Sequence, residues 1–313
     1  MTVSRVLTGR GYVAEGTAIR VRAAFERLEY HPNPVARLLR GRRSHLIGVT
    51  IPSLTSSIHR GVVAGLEDVL GSTDYQLMLG HLQSGRHPST SFVELARRQH
   101  CDGYIIVPSR ADAHNTGTSR LDRPAVVALS TVPGVVADAV LTDGREAARA
   151  ATTYLLERFG GPVAFVGLDS RLSHDVTVLE GYREALAAAD CEPWVLGVRT
   201  GEDGGRDGVH AMLASPHPPR AFLFASTMLI FEGLGEIVQS GRRIGEEIGV
   251  VAVASEERPW TALLPTPIPL LLVPAREIGR RAGTMLLRRL GESSGEPVID
   301  VVPMQLLFPE QVP

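Results

Sequence analysis

The stretch "REAARAATTYLLERFGGPVAFVG" (145–167) decides how the rest of the chain is read. Residues 145–159 carry apolar side chains at helical spacing, and "PVAFVG" (162–167) is an apolar run of strand length. The pairing recurs along the chain. "VLEGYREALAAAD" (178–190) puts Leu179, Tyr182, Leu186 and Ala189 on one helical face. Further strand-like runs are "LIGVTI" (46–51), "YQLMLG" (75–80), "GYIIVP" (103–108), "AVVALS" (125–130), "AFLFA" (221–225), "GVVAV" (249–253) and "LLLV" (270–273). Strand, helix, strand, repeated, predicts an α/β fold of parallel sheets flanked by helices. About ten strands exceed one comfortable open sheet. The body is therefore expected to form two lobes, with a ligand cleft beyond the C-terminal strand ends.

Composition narrows the chemistry. The chain has 313 residues and no lysine; all 32 basic residues are arginine. A Walker A lysine, a Schiff-base lysine and an SxxK pair are excluded. No run approaches the roughly 18 apolar residues of a membrane span. The N-terminus lacks a signal-peptide pattern, so a cytoplasmic location is expected. Cys101 and Cys191 stand alone, without CxxC or Cys/His spacing, and are expected to be reduced and buried. The ten histidines show no HxxxH or HExxH spacing, so neither a metal nor another cofactor is implied. "GESSG" (291–295) fits GxSxG, but it follows a helical stretch instead of a strand, and no enzyme is expected from it.

Charge is unevenly spread. Residues 1–50 hold nine arginines against Glu15, Glu26 and Glu29, a balance of +6, while the remainder holds 23 arginines against 31 acids, a balance of −8. A basic head on an acidic body suits an electrostatic contact with nucleic acid; a solvated basic face has the same composition. Within the head, Thr17 is placed to cap a helix whose Val21, Ala24, Phe25 and Leu28 share one face. "NPVARLLRG" (33–41) then offers Asn33 as cap, Pro34 at the first helical position and Gly41 as stop.

Together, "TVSRVLTG" (2–9), "VRAAFERLEYHPNPVARLLRGRRSHLIGV" (21–49), "GLEDVLGSTDYQLMLG" (65–80), "CDGYIIVPS" (101–109), "VLTDGREAARAATTYLLERFGGPVAFVG" (140–167), "LEGYREAL" (179–186) and "PAREIGRRAGTMLLRRL" (274–290) resemble the lac repressor (LacI/GalR) family of transcription regulators. The resemblance runs in order through essentially the whole chain. It implies a partial helix-turn-helix DNA-binding head at 1–32, a hinge helix and linker at 33–44, and a two-lobed effector-binding and dimerisation domain, like a periplasmic binding protein, at 45–313. Thr2, Ser4 and Arg5 would lie on the recognition helix in the major groove, where arginine can pair bidentately with guanine. Asn33, Val35, Ala36 and Leu39 would lie on the hinge helix. Leu39 takes the place of the family's minor-groove wedge, or else makes a small contact between linker and body. The partners implied are a pseudo-palindromic operator, a second copy in a homodimer, and a small-molecule effector.

Two departures accompany the resemblance. The family motif carries a helix ahead of "TVSRV", roughly 15–20 residues that are absent before this stretch. The favoured expectation is that Met1 is an internal codon; a genuine truncation and a shortened chain are the alternatives. Without that helix, residues 1–30 are not expected to hold a DNA-reading geometry alone. The cleft departs too. Ser56, Ser57, Ile58 and His59 stand where the family has "NPFF". Val178 replaces its arginine, Ser226 and Thr227 its "ND", and Ala252 to Ser255 its "GFDD"; Asp143 is kept. His59, Ser109, Asp143, Val178, Thr227 and Ala254 are the expected cleft residues, with His59 equally able to be a surface residue at a helix start. The expected function is a regulator, most simply a repressor, whose operator affinity follows cleft occupancy. The alternative is a small-molecule binding protein, or truncated regulator, without DNA-binding activity.

Overall fold

The computed structural model describes residues 2, 5–6, 12–28, 43–82, 89–114, 121–168, 171–198, 204–255, 264, 266–291 and 295–311. The chain divides into two compact units, Met1–Ser44 and His45–Pro313.

In the first unit, Thr2, Arg5 and Val6 are helical. A longer helix, α1, spans Glu15–Arg27. It begins before the residue proposed to cap it. The Ala14 carbonyl accepts from Thr17 N at 2.9 Å and Ala18 N at 3.0 Å, so Thr17 sits inside the first turn and is not the cap. Glu15 in that turn and Arg27 in the last complement the helix dipole. Val21, Ala24 and Phe25 are half-buried, but Leu28 falls just past the helix end and is exposed.

The second unit alternates strands and helices throughout: β1 (Leu46–Ile51), α2 (Ser57–Leu70), β2 (Gln76–His81), α3 (Ser89–Arg98), β3 (Gly103–Ile106), β4 (Ala125–Leu129), β5 (Asp138–Asp143), α4 (Arg145–Phe159), β6 (Val163–Leu168), α5 (Ser173–Ala188), β7 (Trp194–Val198), α6 (Gly204–Leu213), β8 (Ala221–Phe224), α7 (Leu229–Gln239), β9 (Gly249–Ser255), β10 (Leu270–Val273), α8 (Ala275–Gly291), β11 (Ile299–Pro303) and β12 (Gln305–Leu307). One sheet has the order β11-β5-β4-β3-β1-β2 and the other β12-β10-β9-β8-β6-β7. Every pairing is parallel except β10 with β12. Each lobe is therefore the same five-strand, doubly wound sheet plus one late edge strand. Four strands, β5, β7, β11 and β12, add to the eight runs legible in the sequence.

The chain passes between the lobes three times. After β5 it enters α4, which packs on α5 and on the second sheet; after β10 it enters α8, which packs on α2 and on the first sheet. Met304 makes the last crossing, between β11 and β12. Both helix pairs approach closely at a glycine. A Cβ on Gly65 would collide with the Arg276 carbonyl oxygen, and a Cβ on Gly181 with that of Arg145. An ion pair follows three residues on in each case: Arg276 with Asp68 at 2.6 Å, and Arg145 with Glu184.

Period-two alternation divides the core. Val251 and Val253 of β9 join the cluster that runs through both lobes, while Val250, Ala252 and Ala254 face α6 and α7 in a cluster of the second lobe alone. Cys101 is buried; Cys191, expected to be buried, is half-exposed, because it lies in the turn after α5. Both are free thiols.

Candidate functional site

In a doubly wound sheet, neighbouring crossovers leave in opposite directions at the point where strand order reverses, and a crevice opens at the strand C-termini there. In the first lobe that point lies between β1 and β3; in the second, between β6 and β8. A cavity of about 240 Å³ opens where all four strand ends meet. β1 contributes Pro52 and Ser53, and β3 contributes Val107, Pro108 and Ser109. From the second lobe come Leu168 after β6, and Ala225, Ser226, Thr227 and Met228 after β8. Helix starts close the sides: Ile58 and His59 of α2 face His174, Asp175 and Val178 of α5. Thr142, Val273 and Met304, at the crossings, form the floor.

Four expected cleft residues, His59, Ser109, Val178 and Thr227, line this cavity; Asp143 and Ala254 do not. The Asp143 carboxylate instead accepts from Arg145 N at 2.9 Å, at the start of the crossing helix α4. Ala254 points to the opposite face of its sheet, and its neighbour Val253 lines the cavity. His174, Asp175, Arg110, Met228 and Met304 are lining residues that the sequence did not single out. Of the head residues assigned to DNA, Thr2 and Arg5 are helical and exposed. Ser4, Asn33, Val35, Ala36 and Leu39 lie outside the described residues, as do the middle residues of "GESSG".

Much of the polar lining is already engaged by the fold. Thr142 Oγ1 donates to the Val302 carbonyl at 2.8 Å. Ser109 Oγ donates to Asp112 at 2.8 Å. That carboxylate is fully buried and also accepts from Ser109 N, Ser89 N and Ser89 Oγ, all within 2.8 Å. Four donors spread its charge and fix the β3 end against α3. His59 Nδ1 donates to the Ser53 carbonyl at 3.1 Å. Burial lowers the His59 pKa to about 4, against the opposing effect of the Ser53 bond, so the ring is neutral at physiological pH.

Hydrogen bonds tie the lobes beside the cavity. Ser173 N, at the start of α5, donates to Ser130 Oγ at 2.7 Å; the two hydroxyls lie 2.9 Å apart, and Thr131 N donates to Ser173 Oγ at 3.2 Å. Gly144 N donates to Thr177 Oγ1 at 3.2 Å. The first turn of α5 thus belongs to the second lobe by sequence and is docked on the first. His174 and Asp175 follow Ser173 directly in this turn.

Residues 152–308 match the family described as the periplasmic binding protein-like domain, half of the chain, and residues 1–33 match bacterial regulatory proteins of the lacI family. The chain belongs to the lacI family. Its body is the periplasmic-binding-protein-like part and its head the lacI-type part. The ribose operon repressor of Bacillus subtilis is 26% identical over 287 residues, covering 91% of this chain and 86% of that protein. The transcriptional repressor CytR of Escherichia coli is 24% identical over 294 residues, covering 92% and 85%. A structure of the lac repressor bound to ONPG superposes with a TM-score of 0.82 at 21% identity, covering 99% of this chain and 94% of that one. That likeness concerns the fold. These relatives are named regulators, not enzymes. Among the described residues of this lacI-family chain, no group of three His, Cys, Asp or Glu side chains is placed to hold a metal. No described helix is long and apolar enough to cross a membrane.

Proposed function

We propose that this lacI-family chain is a DNA-binding transcriptional regulator, acting in the cytoplasm as a repressor, whose operator affinity is set by a small molecule in the inter-lobe cleft. One observation carries the reading: a cavity at both switch points is flanked by a latch between Ser130 and Ser173, in a chain whose residues 1–33 match lacI regulators. A ligand changes the balance of two states only by binding them unequally. The latch gives the cleft two states to distinguish, since a ligand at His174 either leaves the Ser130 contact made or displaces it. The conformation would reach DNA through residues 33–44, where Asn33, Val35, Ala36 and Leu39 are assigned to the hinge helix. Thr2, Ser4 and Arg5 are assigned to base and phosphate contacts. A homodimer presents two heads to a pseudo-palindromic operator.

Fluorescence anisotropy across a salt series tests this, with a duplex from the gene's own promoter and a scrambled duplex. The chain is measured beside a form extended upstream in frame, and the extended form is expected to bind the promoter more tightly by at least about a thousandfold, with affinity falling steeply as salt rises. Equal affinity for both duplexes would reduce the chain to a ligand-binding protein that does not read an operator.

A further inference from the structure

The cleft also says what kind of molecule it takes; this rests on its being the regulatory site proposed above. The larger part of its lining is apolar, with Val107 and Leu129 from the first lobe, Leu168, Leu172 and Val253 from the second, and Met304 at the crossing; the Ser226 and Thr227 side chains also line it. Among the described residues, the charged lining groups are one cation, Arg110, and one anion, Asp175. Thr142 and Ser109, which could otherwise donate to a polyol, give their protons to Val302 and Asp112. His59 gives its Nδ1 proton to Ser53.

Among the described residues, a buried ring nitrogen in the wall is left without a partner. His174 Nδ1 is buried and has no hydrogen-bond partner. Its other nitrogen, Nε2, lies 3.5 Å from Asp175 Oδ1. A carboxylate there favours the tautomer with the proton on Nε2, which makes Nδ1 an acceptor. A buried acceptor without a donor is costly, and a ligand O–H is the simplest group to relieve it.

We propose that the cleft takes a compact, uncharged, largely hydrocarbon molecule bearing one hydroxyl, an alicyclic alcohol or phenol, whose O–H donates to His174 Nδ1. Size follows from the cavity. An apolar cavity of about 150 Å³ holds benzene, so 240 Å³ scales to about ten non-hydrogen atoms. A free sugar of similar size would set several of its hydroxyls against the aliphatic part of the lining.

Calorimetric titration of the full chain, without DNA, tests the proposal with three probes: thymol, a phenol of that size; p-cymene, the same skeleton lacking the hydroxyl; and ribose. Thymol is expected to bind, p-cymene about tenfold more weakly, and ribose not at all. In His174→Phe, thymol should fall to the level of p-cymene while p-cymene keeps its affinity. The proposal is overturned if ribose binds better than thymol, if thymol and p-cymene bind alike, if no probe binds, or if a folded His174→Phe keeps the preference for thymol. Should that variant fail to fold, the ratio of thymol to p-cymene on the unmodified chain still decides. With no DNA present, the outcome is independent of the operator reading, whose own failure appears as equal affinity for promoter and scrambled duplexes.

Discussion

The two lobes of the body are built alike and finished differently. Each has a five-strand sheet of the same order, a crossing helix headed by an arginine, and a glycine on the partner helix that seats against that arginine's backbone. Gly65 and Asp68 in the first lobe correspond to Gly181 and Glu184 in the second. The lobes part at two places. The fifth strand opens with Asp138 in the first lobe and with fully buried Leu270 in the second. At the cleft, α2 offers a neutral imidazole whose Nδ1 is bonded to Ser53, while α5 offers an imidazole with an unfilled acceptor and a carboxylate. The repeated features are those that pack; the divergent ones are those that face a ligand or a lone charge. A repeated scaffold makes the cleft, and its unequal walls give it chemistry.

The largest expected effect is at the charge that only one lobe has. Arg289 binds Asp138 through two bonds, 2.6 and 2.8 Å, and Val298 N adds a third at 2.7 Å. Removing one partner of a buried pair strands the other, so Arg289→Ala should cost about 3 kcal/mol in urea unfolding. Burial alone would raise the Asp138 pKa, but these bonds outweigh it and hold the carboxyl below its usual range. A depressed carboxylate stabilises above its unfolded pKa and ceases to do so as pH falls through the folded one. Hydrogen exchange should therefore find the first lobe opening before the second in strong acid; the reverse order would break the comparison.

Next come the two glycines. In an exposed helix, Gly→Ala gains about 1 kcal/mol. Here Gly65→Ala and Gly181→Ala should each lose about 2 kcal/mol, because the new methyl meets backbone that cannot move aside. Similar losses would sharpen the equivalence of the lobes; a neutral result at either site would remove it. Smaller still is the latch. Ser130→Ala and Ser173→Ala should each cost about 1 kcal/mol, and the double variant less than their sum, since both remove the contact between the two hydroxyls. The smallest effect is a titration. His59 should stay neutral by NMR until about pH 4. Its contribution to stability falls as pH drops from its unfolded value toward that point, because only the unfolded chain takes up the proton. A midpoint near the ordinary value would mean that water reaches the ring.

The sequence carried the alternation and the two-lobed body because long, period-matched segments are strong signals. It was weaker where a strand is short or half-polar. β5 begins and ends in aspartate around a short apolar centre, β7 is an edge strand with alternate residues exposed, and β12 is three residues long. The cap at Thr17 was misplaced because a threonine within the first turn looks the same in sequence as one just before it. At the cleft, counting by twos along β9 would have exchanged Ala254 for Val253. His174, Asp175 and Met304 had no local signal: they become a wall only when the crossings bring the start of α5 onto the end of β4.

The central claim is that the state of the cleft governs the DNA-binding head. The most direct test is promoter-duplex affinity of the full protein with the latch intact and with Ser130→Ala combined with Ser173→Ala, measured by anisotropy under one salt condition. The account predicts that loosening the latch shifts promoter affinity by about fivefold or more, the range of an ordinary allosteric coupling, while affinity for the scrambled duplex is unchanged. Identical promoter affinity in a folded double variant would contradict it and leave head and cleft uncoupled.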